Sequence, residues 1–190
     1  MRIATRAYLW YKLFNSLFAG AAMGAVFAIY AALDPVIFSA GGLLLAAGMI
    51  VVAKLYARIM FVRAFFIITL LVEGVMLGVV ILYLLRPESA LIALMVYSGY
   101  QVMFLFGSYL VRAETRFLNR IQLLSWIDVR KQVGYLSGLA ISWVAYRWME
   151  RGLFIEEKSM QVWHLHWGLL IVQLVVLMLV WRAFRPASRA

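Results

Sequence analysis

Six long apolar stretches, separated by short polar seams, constrain this chain more than any other feature of its sequence. A helix needs about 20 apolar residues to cross the hydrocarbon core of a bilayer. The candidate spans are residues 14–33, 36–53, 64–85, 90–111, 133–149 and 160–181. Hydrophobic residues make up 66% of the chain, whereas about 45–50% is usual for a soluble domain. We therefore predict one all-α, polytopic bundle of six transmembrane helices, without a soluble domain.

The distribution of positive charge predicts how this bundle is oriented. Cytoplasmic loops of membrane proteins are enriched in Lys and Arg. Of the 18 basic residues, 14 fall at the N-terminus, in the second and fourth seams, and at the C-terminus, which would share one side. The opposite side has Arg86, Arg147, Arg151 and Lys158. We expect a multi-pass protein of the cell's inner (cytoplasmic) membrane with both termini cytoplasmic. The net charge of +10 then reflects topology, and no nucleic-acid partner is expected.

The seams differ in length and character. Short outer connections contain Pro35 and Pro87, and proline disfavours continuation of the preceding helix, so both predict hairpin turns. The longest inner seam, residues 112–132, mixes Arg with apolar and aromatic side chains. It is either a cytoplasmic amphipathic linker lying in the interface or a continuation of the fourth helix into water.

Three of the apolar stretches carry small residues at four-residue spacing. They are Ser16, Gly20 and Gly24 in the first, Gly74 and Gly78 in the third, and Gly134, Gly138 and Ser142 in the fifth. Small residues let membrane helices approach closely. The stripes indicate either fixed packing within the chain or an interface along which helices slide.

Glu73 is the one ionisable residue near the middle of a predicted span. A charge at that depth costs about 2.5–3.5 kcal/mol on insertion scales, so such residues are functional candidates. Glu73 is the candidate coupling residue for protons, or a contact for a cationic substrate. The structural alternative is a protonated carboxyl bonded to a neighbouring helix. Thr69, one turn earlier on the same face, is a candidate hydrogen-bond partner.

A polar and aromatic stripe runs along one side of the fourth stretch. Its spacings of three, four and seven place on one helix face Tyr97, Tyr100, Gln101, Phe104 and Ser108. The stripe is either a cavity wall or a surface for ordinary interhelical hydrogen bonds. With Gln173, deep in the sixth stretch, the predicted substrate-binding residues are Tyr97, Tyr100, Gln101, Ser108 and Gln173.

The chain offers little for catalysis or metal binding. It has no Cys, and its two histidines, His164 and His166, point in different directions at i and i+2. Ser137 is the candidate nucleophile of an intramembrane protease, but it lies toward the opposite side of the membrane from both histidines. A general base must reach its nucleophile. We therefore expect no enzyme activity, no catalytic residues, no metal and no cofactor.

Topology and one short stretch resemble half of a major facilitator superfamily transporter. In residues 128–138, Asp128, Arg130 and Lys131 precede Gly134 and Gly138, which is similar to the family's charged seam and glycine-rich fifth helix. The seam between the second and third spans keeps basic residues but lacks the family's acid and glycine. The resemblance implies two inverted three-helix repeats. It also implies a partner, either a second copy in a parallel homodimer or a separate second half.

Two functions remain as hypotheses from the sequence. The first is a half-size transporter that moves a small solute by alternating access as a parallel dimer, with Tyr97, Tyr100 and Gln101 contacting the substrate and Glu73 coupling protons. The alternative is a non-transporting integral membrane subunit that scaffolds or anchors a larger membrane complex.

Overall fold

The computed structural model describes residues 1–31, 33–87 and 89–185. Within them the chain forms seven helices and two short strands. In order, they are β1 (Arg2–Ile3), α1 (Thr5–Tyr30), α2 (Pro35–Lys54), α3 (Tyr56–Ile59), α4 (Val62–Leu85), α5 (Ala90–Phe117), α6 (Ile121–Gly152), α7 (Lys158–Ala183) and β2 (Phe184–Arg185).

Five of these helices, α1, α2, α4, α5 and α7, are long and apolar enough to cross a membrane. The prediction of an all-α fold is therefore confirmed, and the helices are compatible with a membrane protein. The helix α6 contains the predicted span 133–149 but is not among the five, because Gly, Ser, Tyr, Trp and Arg147 interrupt its apolar sequence. Six spans remain a prediction.

The inner seam 112–132 belongs almost entirely to two helices. α5 continues to Phe117, and α6 begins at Ile121, so only residues 118–120 lie between them. The segment has no Gly or Pro and is rich in Arg, Gln and Leu, which favour helix. Most of the segment therefore extends the two neighbouring helices, and its place in the cytoplasmic interface remains a prediction. In the same way, α1 starts at Thr5, well before residue 14.

The start of α2, at the first predicted hairpin turn, has a clear local cause. The side chain of Asp34 accepts a hydrogen bond from the backbone N of Val36 at 2.8 Å, and Pro35 occupies the first helical position, where its missing N–H costs nothing. The second predicted hairpin, residues 86–89, includes Glu88, which lies outside the described residues. α4 ends at Leu85 and α5 begins at Ala90 on either side of it.

The helices pack in a row with a symmetric order of neighbours. Each principal contact joins consecutive members of the series α6, α1, α7, α4, α5, α2. Exchanging α1 with α5, α2 with α6, and α4 with α7 reverses this series onto itself. The first three long helices and the last three thus occupy equivalent places in the row, and the two sets interleave, because each principal contact joins a helix of one set to a helix of the other. The extent of contact differs: α6 packs along α1 far more closely than α2 packs along α5.

The buried core divides into two clusters along the helices. One gathers around Phe18, Met76 and Val96, and the other around Phe65 and Val176. Together they bury the inward sides of α1, α4, α5 and α7. By contrast, Val52 is the only buried residue on α2 within the described part of the chain, so α2 lies at the edge of the bundle.

Small residues account for the close contact of α1 with α6. A Cβ on Gly134 would overlap the backbone carbonyl of Leu13, and one on Gly138 would lie 2.7 Å from the backbone N of Ala21. These contacts leave no room for a side chain, as expected for membrane helices joined through small residues. The small residues of α4 do not form such a contact, since a Cβ on Gly74 or Gly78 would meet no atom within 4 Å.

The two ends of the described chain pair with each other. β1 and β2 are antiparallel, with Arg2 opposite Arg185 and Ile3 opposite Phe184. The backbone N of Ala4 donates to the carbonyl of Ala183 at 2.7 Å. This pairing places the start of α1 beside the end of α7. Arg189, one of the basic residues assigned to the C-terminal seam, lies outside the described residues.

Candidate functional site

Glu73 on α4 is buried at 2% exposure and accepts hydrogen bonds from two other helices. Its Oε1 accepts from the Tyr11 hydroxyl and from Asn15 Nδ2, both at 2.8 Å. Its Oε2 accepts from Gln173 Nε2 at 2.9 Å. Two of the residues selected from the sequence, Glu73 and Gln173, therefore meet where α4 packs against α7. We call Glu73, Tyr11, Asn15 and Gln173 the Glu73 cluster.

Gln173 fixes the geometry of this cluster. Its Nε2 also donates to the backbone carbonyl of Glu73 at 2.9 Å, which ties the side chain to the helix as well as to the carboxylate. Gln173 is fully buried, and its Oε1 has no hydrogen-bond partner among the described residues. The expected bond from Thr69 to Glu73 is wrong, because the Thr69 hydroxyl donates to the carbonyl of Phe65 in its own helix at 2.7 Å.

A second buried carboxylate, that of Glu114 on α5, joins α5 to α1 and to α6. Its Oε2 accepts from Lys12 Nζ and from the Tyr8 hydroxyl, each at 2.7 Å. Its Oε1 accepts from Lys131 Nζ at 2.6 Å. Glu114 is 3% exposed and Lys12 is 8% exposed, so both charges depend on each other. We call these four residues the Glu114 cluster.

Sequence reasoning missed this second cluster. It assigned Lys12 and Lys131 to membrane orientation and passed over Glu114. Two signals could have found it: Glu114 is the only acid between residues 90 and 127, and one face of α1 is polar at i, i+3, i+4 and i+7. The residues on that face are Tyr8, Tyr11, Lys12 and Asn15.

This polar face of α1 connects the two carboxylates. Tyr8 and Lys12 contact Glu114, while Tyr11 and Asn15 contact Glu73. The rings of Tyr8 and Tyr11 pack edge to face with centroids 5.5 Å apart. Lys12 and Lys131 both pair with Glu114. Glu73 has no ion-pair partner among the described residues, and its carboxyl is held by the neutral donors of Tyr11, Asn15 and Gln173.

The predicted stripe on α5 is divided between different surroundings. Tyr97 is buried and packs against the rings of Tyr30 and Phe38, each at 5.4 Å between centroids. Tyr100 packs edge to face on Tyr30 at 6.4 Å. Ser108 is exposed. The stripe therefore does not form one continuous wall.

Gln101 lines a groove between α2 and α5 with a cavity volume of about 400 Å³. Tyr97 and Ser98 also line it, whereas Ser108 and Gln173 do not. The remaining lining is aliphatic, for example Leu44 and Leu105. The predicted substrate-binding residues thus fall in separate places: two in this groove, one beside it, one on the surface and one in the Glu73 cluster. Their role in binding a substrate remains a prediction.

The two histidines occupy different environments. His166 is buried, its ring stacks on Tyr83 at 4.1 Å, and its Nδ1 lies 2.7 Å from the Val162 carbonyl. His164 Nδ1 lies 2.7 Å from the carbonyl of Met160. Across the described ranges, no three His, Cys, Asp or Glu side chains are grouped as a metal site would require.

Comparisons of this chain with protein-family models, with curated proteins and with solved structures find no match.

Proposed function

We propose that the protein is a half-size secondary transporter that moves a small solute by alternating access as a parallel dimer. The observation that carries this proposal is that the first three long helices and the last three occupy equivalent places in the helix row, where α4 of one set packs against α7 of the other. A unit of three spans reverses direction, so two such units are inverted repeats, and in many transporters ligand and coupling sites lie at the interface between repeats. The contact between Glu73 and Gln173 lies at this interface.

Six crossings with both termini cytoplasmic belong to the same proposal. The pairing of β1 with β2 brings residues 2–3 beside residues 184–185, which favours an even number of crossings, with α6 as the sixth spanning helix. The glycine contacts support this, because Gly134 lies beside Leu13 and Gly138 beside Ala21. α6 thus runs parallel to α1. The excess of Lys and Arg at the same end favours the cytoplasmic side.

Glu73 is the coupling group in this proposal. Its carboxylate accepts from α1 through Tyr11 and Asn15 and from α7 through Gln173. Protonation removes the negative charge that these donors stabilise, so it weakens the contacts of α4 with α1 and with α7 at once. Protonation shifts the equilibrium between the two states of alternating access only through contacts that differ between them. In this proposal those are the contacts between α1, α4 and α7.

The test is a pair of spin-label distance measurements on protein in nanodiscs. The chain contains no Cys, so Ser125→Cys and Glu156→Cys, at the proposed cytoplasmic and outer ends, each give one label per subunit. Transport by alternating access predicts intersubunit distances that shift in opposite senses at the two ends when the pH is lowered. Glu73→Gln should hold the low-pH distribution at every pH. Absence of any intersubunit distance, or distances insensitive to both changes, contradicts the proposal.

The scaffold function is the second candidate, and one observation favours it. Both buried carboxylates are bonded within the chain, which suits a bundle with a single rigid state. In that case the distances stay fixed, and purification in mild detergent recovers a stoichiometric, unrelated membrane assembly.

A further inference from the structure

We propose that the groove between α2 and α5 binds a small, uncharged, lipophilic molecule that carries one hydrogen-bond donor. Gln101 Oε1 accepts the hydrogen bond from this donor. Binding at this groove does not require that the protein transports anything. If the proposed transporter function holds, the inference also names the chemical class of its substrate.

The size and lining of the groove define the bulk of the ligand. A volume of about 400 Å³ lies near the lower end of the range of about 300–1,000 Å³ typical of small-molecule sites. Leu44 and Leu45 of α2 and Leu94 and Leu105 of α5 line it, and no charged residue among those that the structure describes does so. A charged ligand would lose its hydration without a counter-charge. The occupant is therefore apolar and neutral.

The polar atoms of the groove define where the ligand carries its donor. Ser98 donates to the carbonyl of Leu94 at 2.8 Å, and the Tyr97 hydroxyl points to the carbonyl of Phe38 at 3.4 Å. Both hydroxyl protons are thus committed to backbone oxygens. Gln101 Oε1 is buried and has no partner among the described residues. Buried polar atoms are rarely left unpaired. Rotation of the Gln101 side chain, which itself lines the groove, brings this oxygen to a donor on the ligand.

The helix α2 gives the ligand a route from the bilayer. Val52 is its only buried residue in the described chain, and its long-helix neighbour is α5. Gly41 and Gly48 face Tyr97 and Leu105, and a Cβ at Gly48 would lie 2.8 Å from Leu105 Cδ1. A lipophilic molecule already dissolved in the membrane therefore reaches the groove from the side, without passing through water.

The experiment measures binding of para-trifluoromethylphenol and of its methyl ether by fluorine NMR. The protein is held in nanodiscs, and empty nanodiscs give the lipid partition to subtract. In mildly acidic buffer the phenol is uncharged and can donate, whereas the ether cannot. Loss of one hydrogen bond of about 1 kcal/mol predicts about fivefold weaker binding of the ether. Gln101→Leu should weaken binding of the phenol by about the same factor and leave binding of the ether unchanged.

A matched pair of substitutions on α2 locates the site. Ala40 lines the groove, while Ala46 lies on the same helix outside the lining. Ala40→Phe should abolish saturable binding of both probes, and Ala46→Phe should retain it. Circular dichroism and a single elution peak confirm that each variant is folded. Equal affinities for phenol and ether, no effect of Gln101→Leu, or identical behaviour of the two Phe variants would overturn the inference.

Failure of this test and failure of the transport proposal are distinguishable. Binding is measured without movement across the membrane, and the distance measurements need no ligand. Saturable binding with fixed intersubunit distances supports the groove and contradicts transport. Intersubunit distances that shift with pH, without saturable binding of the probes, support transport and contradict the groove as a binding site.

Discussion

The α1–α6 and α2–α5 contacts occupy equivalent positions in the row of helices, but they are built differently. At α1–α6, Gly134 and Gly138 bring backbone against backbone. At α2–α5, Gly41 and Gly48 meet the side chains of Tyr97 and Leu105, and a groove remains between the helices. Equivalent placement therefore does not mean equivalent rigidity. One contact is closed by fixed backbone atoms, whereas the other is filled by side chains that can change rotamer.

Buried charge reinforces the same difference. Glu114 binds Lys12 of α1 and Lys131 of α6 at the closed contact, so both of these helices are held to α5 by one carboxylate. At the open contact, the tie from α5 to α2 is the 3.4 Å approach of the Tyr97 hydroxyl to the Phe38 carbonyl. The two contacts should therefore respond very differently to substitution.

The largest expected effect comes from Glu114→Gln, which removes the charge shared by both lysines. Lys12 then stays buried without its partner, and breaking a buried pair costs about 3–5 kcal/mol. We expect the free energy of unfolding, measured by denaturant titration in mild detergent, to fall by about that amount. Arg147→Gln is the control, because the Arg147–Glu150 pair is exposed on both sides. A loss similar to that of the control would show that the closed contact does not depend on Glu114.

Gly138→Ala at the closed contact should have the next largest effect. The added Cβ meets the backbone of Leu17 and Ala21, which cannot move without separating the helices, and overpacking of this kind costs about 1–3 kcal/mol. The midpoint of thermal unfolding should fall clearly. Gly74→Ala makes the same change where a Cβ meets no atom within 4 Å and should be nearly neutral. Equal shifts for the two variants would contradict the backbone contact.

Gly48→Ala at the open contact should have the smallest effect, below about 1 kcal/mol. The new Cβ would lie 2.8 Å from the end of the Leu105 side chain, and that side chain has room to adopt another rotamer in the groove. The same thermal measurement, run beside Gly138→Ala, compares one chemical change at the two equivalent positions. A loss as large as that of Gly138→Ala would mean that the two contacts are equally rigid.

The sequence predicted the class of fold because apolar length is a local property. It also selected Glu73 and Gln173 individually, since a charge or an amide deep in an apolar stretch stands out by itself. It could not predict that they bond to each other, because that contact joins residues 100 positions apart and depends on how α4 and α7 pack.

The Glu114 cluster shows the opposite failure. Lys12 and Lys131 fit the orientation rule so well that no further explanation was sought, and Glu114 lies among arginines that made it inconspicuous. Composition cannot separate a lysine that faces the cytoplasm from one buried against a carboxylate. The same limit applies to the α5 stripe, where helical spacing put Tyr97 and Ser108 on one side but could not tell that only Tyr97 is covered by α2.

The position of α1 in the row has a consequence for how the protein is made. Its neighbours in the helix row are α6 and α7, and the strand that pairs with β1 is the last element of the described chain. During synthesis, α1 therefore enters the membrane before these partners have been translated. Until Glu114 and Glu73 follow, Lys12, Tyr11 and Asn15 lack the carboxylates that later bind them. Assembly of the bundle is thus completed only after α7 and β2 have been translated, and α1 lacks these partners until then.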